Sequence, residues 1–366
     1  MQDWELTYDE VGRAAGRIAG QVRPVTVAPV EPGAYGTGAY GTGRRSGDPN
    51  VRGGAEGASG ASSPVASGGR GNATGDAEDG PGAPARLWLA LEHLQHTGSF
   101  KARGAQNFLR AHREAGALPD AGVTIASGGN AGLACAWAAR QQGVPATVFL
   151  PETAPAVKVG RLRAYGADVR LAGNTYAQAL AACEDFAATA GALRSHAYDH
   201  PLIAAGAGTL LEEIHERLPD LDTVVVAVGG GGLFAGVATA AREHGVRVVA
   251  AEPENCRALN AAVEAGRVVE VPVDSVAADS LGASHASPAA LAAALHGDVR
   301  SVLVRDPEIT AVRRALWDDR RLAVEHAAAT ALAALTSGAY RPEPGERVCV
   351  VLCGANTDVT SLAREA

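Results

Sequence analysis

No apolar run in the 366-residue sequence approaches the ~20 residues that a bilayer-spanning helix needs, which excludes an integral helical membrane protein. The opening residues, MQDWELTYDEVGRAAG, carry acids where a secretory signal has a basic segment followed by an apolar one, so a cytoplasmic location is expected. Positive charge is not in excess. Lys and Arg number 32 against 40 Asp and Glu, the formal charge is −8, and the basic residues are scattered, so neither nucleic acid nor a membrane surface is an expected partner. Cysteine is sparse: Cys135, Cys183, Cys256, Cys349 and Cys353 are an odd set without zinc-ribbon pairing and read as reduced thiols. No HExxH occurs among the ten histidines, and the pair His93 and His96 reads as ordinary core or surface histidine.

Residues 33 to 84 lack Leu, Ile and Phe altogether, contain 16 glycines, and repeat AYGTGAYGTG in tandem from Ala34 to Gly43. Such a segment cannot bury enough apolar surface to offset its ordering entropy, so a disordered insert without catalytic residues is expected there. At roughly 150 residues per domain the remainder suggests about two domains. Outside the insert, β-branched apolar runs alternate with alanine-rich stretches, the α/β pattern of parallel sheets with helices on both faces. Strands are expected at Val123–Ala126, Ala146–Leu150, Asp168–Ala172, Thr223–Val228, Arg247–Ala251 and Arg347–Leu352. Helices are expected at Gly132–Gln142, Pro155–Tyr165, Thr175–Ala190 and Leu233–His244. Several strands run into glycine-rich turns that open helices, and an open α/β sheet binds ligands at that end.

Four short segments carry candidate chemistry. Thr97-Gly98-Ser99-Phe100-Lys101-Ala102-Arg103-Gly104-Ala105 puts a lysine in the first turn of a helix, where the dipole disfavours a cation. A lone lysine there is ordinarily a solvated side chain. The functional reading is an amine whose pKa is lowered by burial and the dipole, fit to be a Schiff-base nucleophile. Ser127-Gly128-Gly129-Asn130-Ala131-Gly132 joins a strand to a helix and serves equally as a tight turn or as a backbone cradle for an anion. In Val228-Gly229-Gly230-Gly231-Gly232-Leu233-Phe234, four consecutive glycines are conformationally costly, which favours a phosphate cup over a bland turn. GxGxxG fails because Phe234 and Ala235 stand where its last glycine is required, and GxxxxGK[ST] is missing, so the cup suits a phosphate monoester. In Cys353-Gly354-Ala355-Asn356, the cysteine ends a strand where a weak S–H donor can meet a ligand, while Cys349 reads as core.

A lysine amine, an anion cradle and a glycine phosphate cup are the parts that hold pyridoxal 5′-phosphate (PLP) and an amino acid. With ExxQxTGSFKxRGA present as Glu92 to Ala105 beside the glycine tetrad, the sequence resembles the serine/threonine dehydratase family of PLP enzymes. The resemblance implies the tryptophan synthase β-subunit fold (PLP fold type II), two open parallel-sheet α/β domains with PLP in the cleft between them. It implies a large domain from 1–32, 85–122 and 194–366, a small mobile domain at 123–193, and a homodimer. Lys101 would carry the Schiff base and Phe100 would pack on the cofactor ring. Asn130 would bond the phenolic oxygen, Gly229, Gly230, Gly231, Gly232 and Leu233 would hold the phosphate, and Cys353 would face the pyridine nitrogen. Ser127, Gly128, Gly129, Asn130 and Ala131 would take the substrate carboxylate.

The implied activity is α,β-elimination from L-threonine or L-serine to a 2-oxo acid and ammonia, with Lys101 removing the α-proton. Racemisation, β-replacement, or a PLP-binding sensor with weak turnover are the alternatives. Three departures bear on these: Ala131 stands where histidine is frequent, Gly128 where racemases carry serine, and Glu252 is followed six residues on by Ala258 where a cation site has aspartate. No metal is therefore expected.

Overall fold

A computed structural model describes residues 5–31, 34–36 and 83–364. Among the described residues, ten strands form two sheets. They are β1 (Val27–Pro29), β2 (Arg86–Ala90), β3 (Val123–Ala126), β4 (Ala146–Leu150), β5 (Asp168–Leu171), β6 (Leu193–Arg194), β7 (Thr223–Ala227), β8 (Arg247–Pro253), β9 (Val299–Val304) and β10 (Arg347–Val351). The six-stranded sheet has the order β1-β2-β10-β7-β8-β9 and the four-stranded sheet β5-β4-β3-β6. All pairs are parallel except β1 with β2 at the sheet edge, where Pro29 is tolerated. No described helix is long and apolar enough to cross a membrane.

All six expected strands are present. Ala172, Val228 and Leu352 fall just beyond their strands, and β8 runs on to Pro253. The other four strands lack a β-branched apolar run: β1 and β6 have three and two residues, β2 has no β-branched residue, and β9 is broken by Arg300 and Ser301. Two helices begin earlier than expected, at Asn130 and Gly232. At the first of these, Gly132 has no side chain to hold off the Ser127 carbonyl oxygen, which lies 1.8 Å from where a Cβ would stand. A long helix at Pro201–Arg217 packs on Gly232–His244 through glycines: a Cβ on Gly236 would stand 2.2 Å from the Ala204 carbonyl oxygen and 2.5 Å from the Gly208 nitrogen. The glycines that weaken its helix signal are the ones that let the two backbones touch.

Lys101–Glu114 forms the helix predicted to follow the lysine motif. Its apolar residues Ala102, Ala105, Phe108 and Leu109 join the core of the four-stranded sheet with Val123, Ile125 and Leu133. Its Arg103, fully buried, points elsewhere. Nε donates to Glu92 Oε1 at 2.6 Å and Nη1 to Glu213 Oε1 at 2.6 Å, and Nη2 reaches Glu92 Oε2 at 3.1 Å. Gln95 Oε1 accepts from the Arg23 backbone nitrogen at 2.9 Å, and its Nε2 donates to the Arg23 carbonyl at 2.7 Å. The Glu, Gln and Arg of ExxQxTGSFKxRGA therefore build the frame that carries the lysine. Removing one partner of such a pair leaves an uncompensated buried charge, at a cost of about 3–5 kcal/mol.

Most of the expected insert lies outside the described residues; within its bounds of 33 and 84, residues 34–36 and 83–84 are described. Ala34–Gly36 form a short turn whose Tyr35 packs against the large core, accepts from Arg320 Nε at 3.1 Å and lies 5.5 Å under that guanidinium. At the other end, Ala83 accepts from the Gly345 nitrogen at 2.7 Å. The tyrosine supplied an aromatic anchor that the glycine-rich composition masked. Joining Gly36 to Ala83 through a short flexible linker is expected to move Tm by less than about 3 °C, because loop closure depends weakly on length. Tyr35→Ala should lower it by more, and calorimetry showing the reverse order would refute this division.

Candidate active site

One cavity of about 710 Å³ is lined by Phe100, Lys101, the loops 127–131 and 229–233, and Cys353, so every residue singled out for chemistry in the sequence reaches the same space. Phe100 and Lys101 arrive through a strained turn. Thr97, although β-branched, has φ 62°, and Gly98 follows at φ 75°. The chain then pairs with the end of the strand carrying Cys353: Ser99 bridges Gly354, the Phe100 nitrogen donates to the Cys353 carbonyl at 3.0 Å, and the Ala355 nitrogen to the Gly98 carbonyl at 2.8 Å. This pairing sets Lys101 beside Cys353.

Lys101 is the first helical residue; its Nζ lies 4.7 Å from the Phe100 ring centroid and donates to the Ala197 carbonyl at 2.6 Å. Burial pushes its ammonium down to about 8, against the opposing pull of Cys353 and Glu325. On the order of one amine in ten is then neutral at pH 7, far more than for a solvated lysine. Burial also pushes the Cys353 thiol up, with Glu325 adding to the effect, so the sulfur stays protonated.

Both glycine-rich loops precede helix N-termini, which present N–H groups without intrahelical acceptors. In the second loop the glycines are required by geometry. Gly231 has φ 93°, and a Cβ there would stand 2.3 Å from Ala290 Cβ; a Cβ on Gly230 would stand 2.4 Å from the Tyr198 ring. In the first, a Cβ on Gly128 would stand 2.8 Å from Leu150 Cδ2. The helix behind it starts at Asn130, whose Nδ2 donates to Glu325 Oε1 at 2.8 Å and Oε2 at 3.0 Å and whose Oδ1 accepts from Asn356 Nδ2 at 2.6 Å. The expectation for Asn130 did not include either partner. Glu325 is the sole acid in the apolar run Leu322–Thr336, and an isolated carboxylate in such a run is the signal that could have found it.

The described site suits the cofactor chemically: an amine of lowered pKa stands in the same cavity as a backbone cup that side chains would fill. Both carboxylate oxygens of Glu252 accept from backbone nitrogens, Leu259 at 2.8 Å and Asn260 at 2.7 Å, and no group of three metal-ligating side chains occurs among the described residues.

The family model for pyridoxal-phosphate dependent enzymes matches residues 77–354. The chain belongs to this family. It is 39% identical over 283 residues to an L-threonine ammonia-lyase of Geobacter sulfurreducens, a match covering 76% of this chain and 69% of that protein. It is 38% identical over 292 residues to a phenylserine dehydratase of Ralstonia pickettii, covering 79% and 88%. The fold of a maize serine racemase superposes with a TM-score of 0.80 over 99% of this chain and 97% of that one, at 24% identity. The protein is thus a PLP-dependent enzyme of fold type II. Gly231→Ala should weaken PLP binding by on the order of ten-fold, the scale of forcing a side chain into a left-handed, occupied position. Absorbance titration with unchanged affinity would remove the cup from the cofactor site.

Proposed function

We propose that this PLP-dependent enzyme is an ammonia-lyase that converts L-threonine to 2-oxobutanoate and L-serine to pyruvate, each with release of ammonia. The observation that carries the reading is the meeting, in one cavity, of the Lys101 amine with the 127–131 and 229–233 loops. In this reading Gly229–Leu233 hold the cofactor phosphate, Phe100 packs on its ring, Asn130 faces its phenolic oxygen, and Cys353 faces its ring nitrogen. The N–H groups and side chains of Ser127–Ala131 take the substrate carboxylate, and the unit 123–193 closes over a larger domain in a homodimer.

Bound PLP supplies an electron sink for the pair left at the substrate Cα. Lys101 Nζ, partly neutral at pH 7 because it is buried, takes the Cα proton. Cys353 remains S–H and would not stabilise a protonated ring nitrogen as a carboxylate would. That favours prompt loss of the β-hydroxyl over reactions that need the charge to persist at Cα. Leu150 adds to this preference by filling the space over Gly128, the position at which the racemase resemblance calls for a serine proton donor.

Lys101→Ala is expected to abolish both the visible absorbance band and turnover on L-threonine, L-serine and L-threo-phenylserine; retained turnover would sink the assignment, and a wild-type band unaffected by all three substrates would favour a sensor. On L-serine the wild type should give pyruvate with little D-serine. Gly128→Ser should raise the D-serine share, since Leu150 meets the new side chain only with a flexible methyl end, and adding Leu150→Ala should raise it further. Chiral chromatography showing D-serine formed by the wild type as fast as pyruvate would put racemisation first.

A further inference from the structure

Glu325 stands at the N-cap of the helix His326–Thr336, yet its side chain makes no capping bond there. Its carboxylate, in a residue only 7% exposed, turns across the cavity wall to Asn130 Nδ2. The chain around it is shaped to allow this. Its backbone nitrogen donates to the Gly354 carbonyl at 3.1 Å, and a Cβ on Gly354 would stand 2.2 Å from Glu325 Oε1. Glycine at 354 therefore makes room for the carboxylate beside the strand end that carries Cys353.

The other end of the Asn130 amide is also specified. Asn356 Nδ2 donates to Asn130 Oδ1 at 2.6 Å and to the Thr97 carbonyl at 2.7 Å, and Arg161 donates to Asn356 Oδ1. The two oxygens of one carboxylate subtend a much narrower angle at Asn130 Nδ2 than the two N–H bonds of a primary amide do. One N–H is therefore shared between Oε1 and Oε2, and the second is left pointing away from Glu325. Asn130 itself lines the cavity.

We propose that Glu325 is a positioning residue: its ionised carboxylate pins the Asn130 amide so that the second N–H is presented to the phenolic oxygen of the cofactor. The inference rests on the reading of Asn130 given under Proposed function. Protonation would turn one carboxylate oxygen into a donor facing an N–H and leave the amide a single neutral acceptor, so the charge-assisted bond that fixes it would weaken. Burial, with Asp279 beside it, pushes Glu325 up to about 7 against the Asn130 side chain, Lys101 and the Asn356 backbone nitrogen, which favour its charged form. The Cys353 thiol nearby is neutral. Glu325 is then ionised above neutrality, and its hold on Asn130 weakens as the pH falls through about 7.

The test uses the PLP-loaded enzyme and reads two quantities across the pH range on either side of neutrality, the visible absorbance band and the kcat and KM for L-threonine. Glu325→Gln should lower kcat by on the order of ten-fold or more, the scale of one charge-assisted hydrogen bond, with KM little changed. It should also remove the acid-side inflection near neutrality from both the band and kcat. In a double-mutant cycle, Asn130→Ala with Glu325→Gln should be no worse than Asn130→Ala alone. An unchanged pH dependence of the band, or additive losses in the cycle, would overturn the proposal. If Glu325→Gln fails to fold by urea titration, Asn130→Ala decides instead: it must erase the same inflection, and an inflection that persists overturns the proposal. Failure of the underlying reading looks different, as a visible band that survives Lys101→Ala, and would overturn both.

Discussion

The buried guanidinium of Arg103 holds the helix that delivers Lys101, and the geometry of the site depends on it. Glu92 follows β2, Glu213 lies on Pro201–Arg217, and both bind Arg103 at 2.6 Å. The same Glu213 accepts the Val25 nitrogen at 2.7 Å, and Gln95 ties down Arg23, so the stretch after the N-terminal helix Tyr8–Ile18 is drawn into the same node. On its other side the helix presents Ala102, Phe108 and Leu109 to the core of the four-stranded sheet. One helix is therefore fixed to the large sheet by charge and to the small sheet by apolar packing, with its first residue at the cavity between them.

Small residues do the remaining placement. Gly231 and Gly230 let the backbone of the second loop lie against Ala290 and Tyr198, and Gly354 leaves room for a carboxylate. Glycine costs conformational entropy at each position, which is tolerated where a side chain would close the space a ligand needs. Gly208 and Gly236 follow the same rule without any ligand, bringing two helices into backbone contact behind the cup. Glycine content alone does not separate these two uses.

Polar contacts cross between the sheets at the rim of the cavity. Lys158 on the helix Ala156–Ala164 meets Asp279 at 2.5 Å, and Arg161 on the same helix reaches Asn356. Both partners of the Lys158–Asp279 pair are substantially exposed, so that pair contributes little to stability. Deeper in, Asn130 bonds the buried Glu325 carboxylate, where a lower local dielectric makes such a contact stronger. The contacts of the 130–164 segment with the large sheet thus lie on the residues that line the reaction space.

The sequence by itself determined the α/β class, the strands β3, β4, β5, β7, β8 and β10, and the segments of Lys101, the two glycine loops and Cys353 that line the cavity. Each of these is a local signal: alternation of apolar runs with alanine-rich helices, or chemically unusual residues within a few positions of one another. Short edge strands such as β1 and β6 carry no such signal, because their place is set by a neighbour and not by their own residues. Tyr35 went unread because glycine dominated the segment around it. The partners of the site were decided by the tertiary structure alone. Glu325 lies 195 residues from Asn130 and Asn356 lies 226 from it, so no local spacing relates them. Arg103 looks like one more exposed helix cation until Glu213, 110 residues on, is brought to it. Long-range contacts pair groups through the packing of whole elements, and the chemical state of a buried lysine or carboxylate depends on which groups that packing brings within reach.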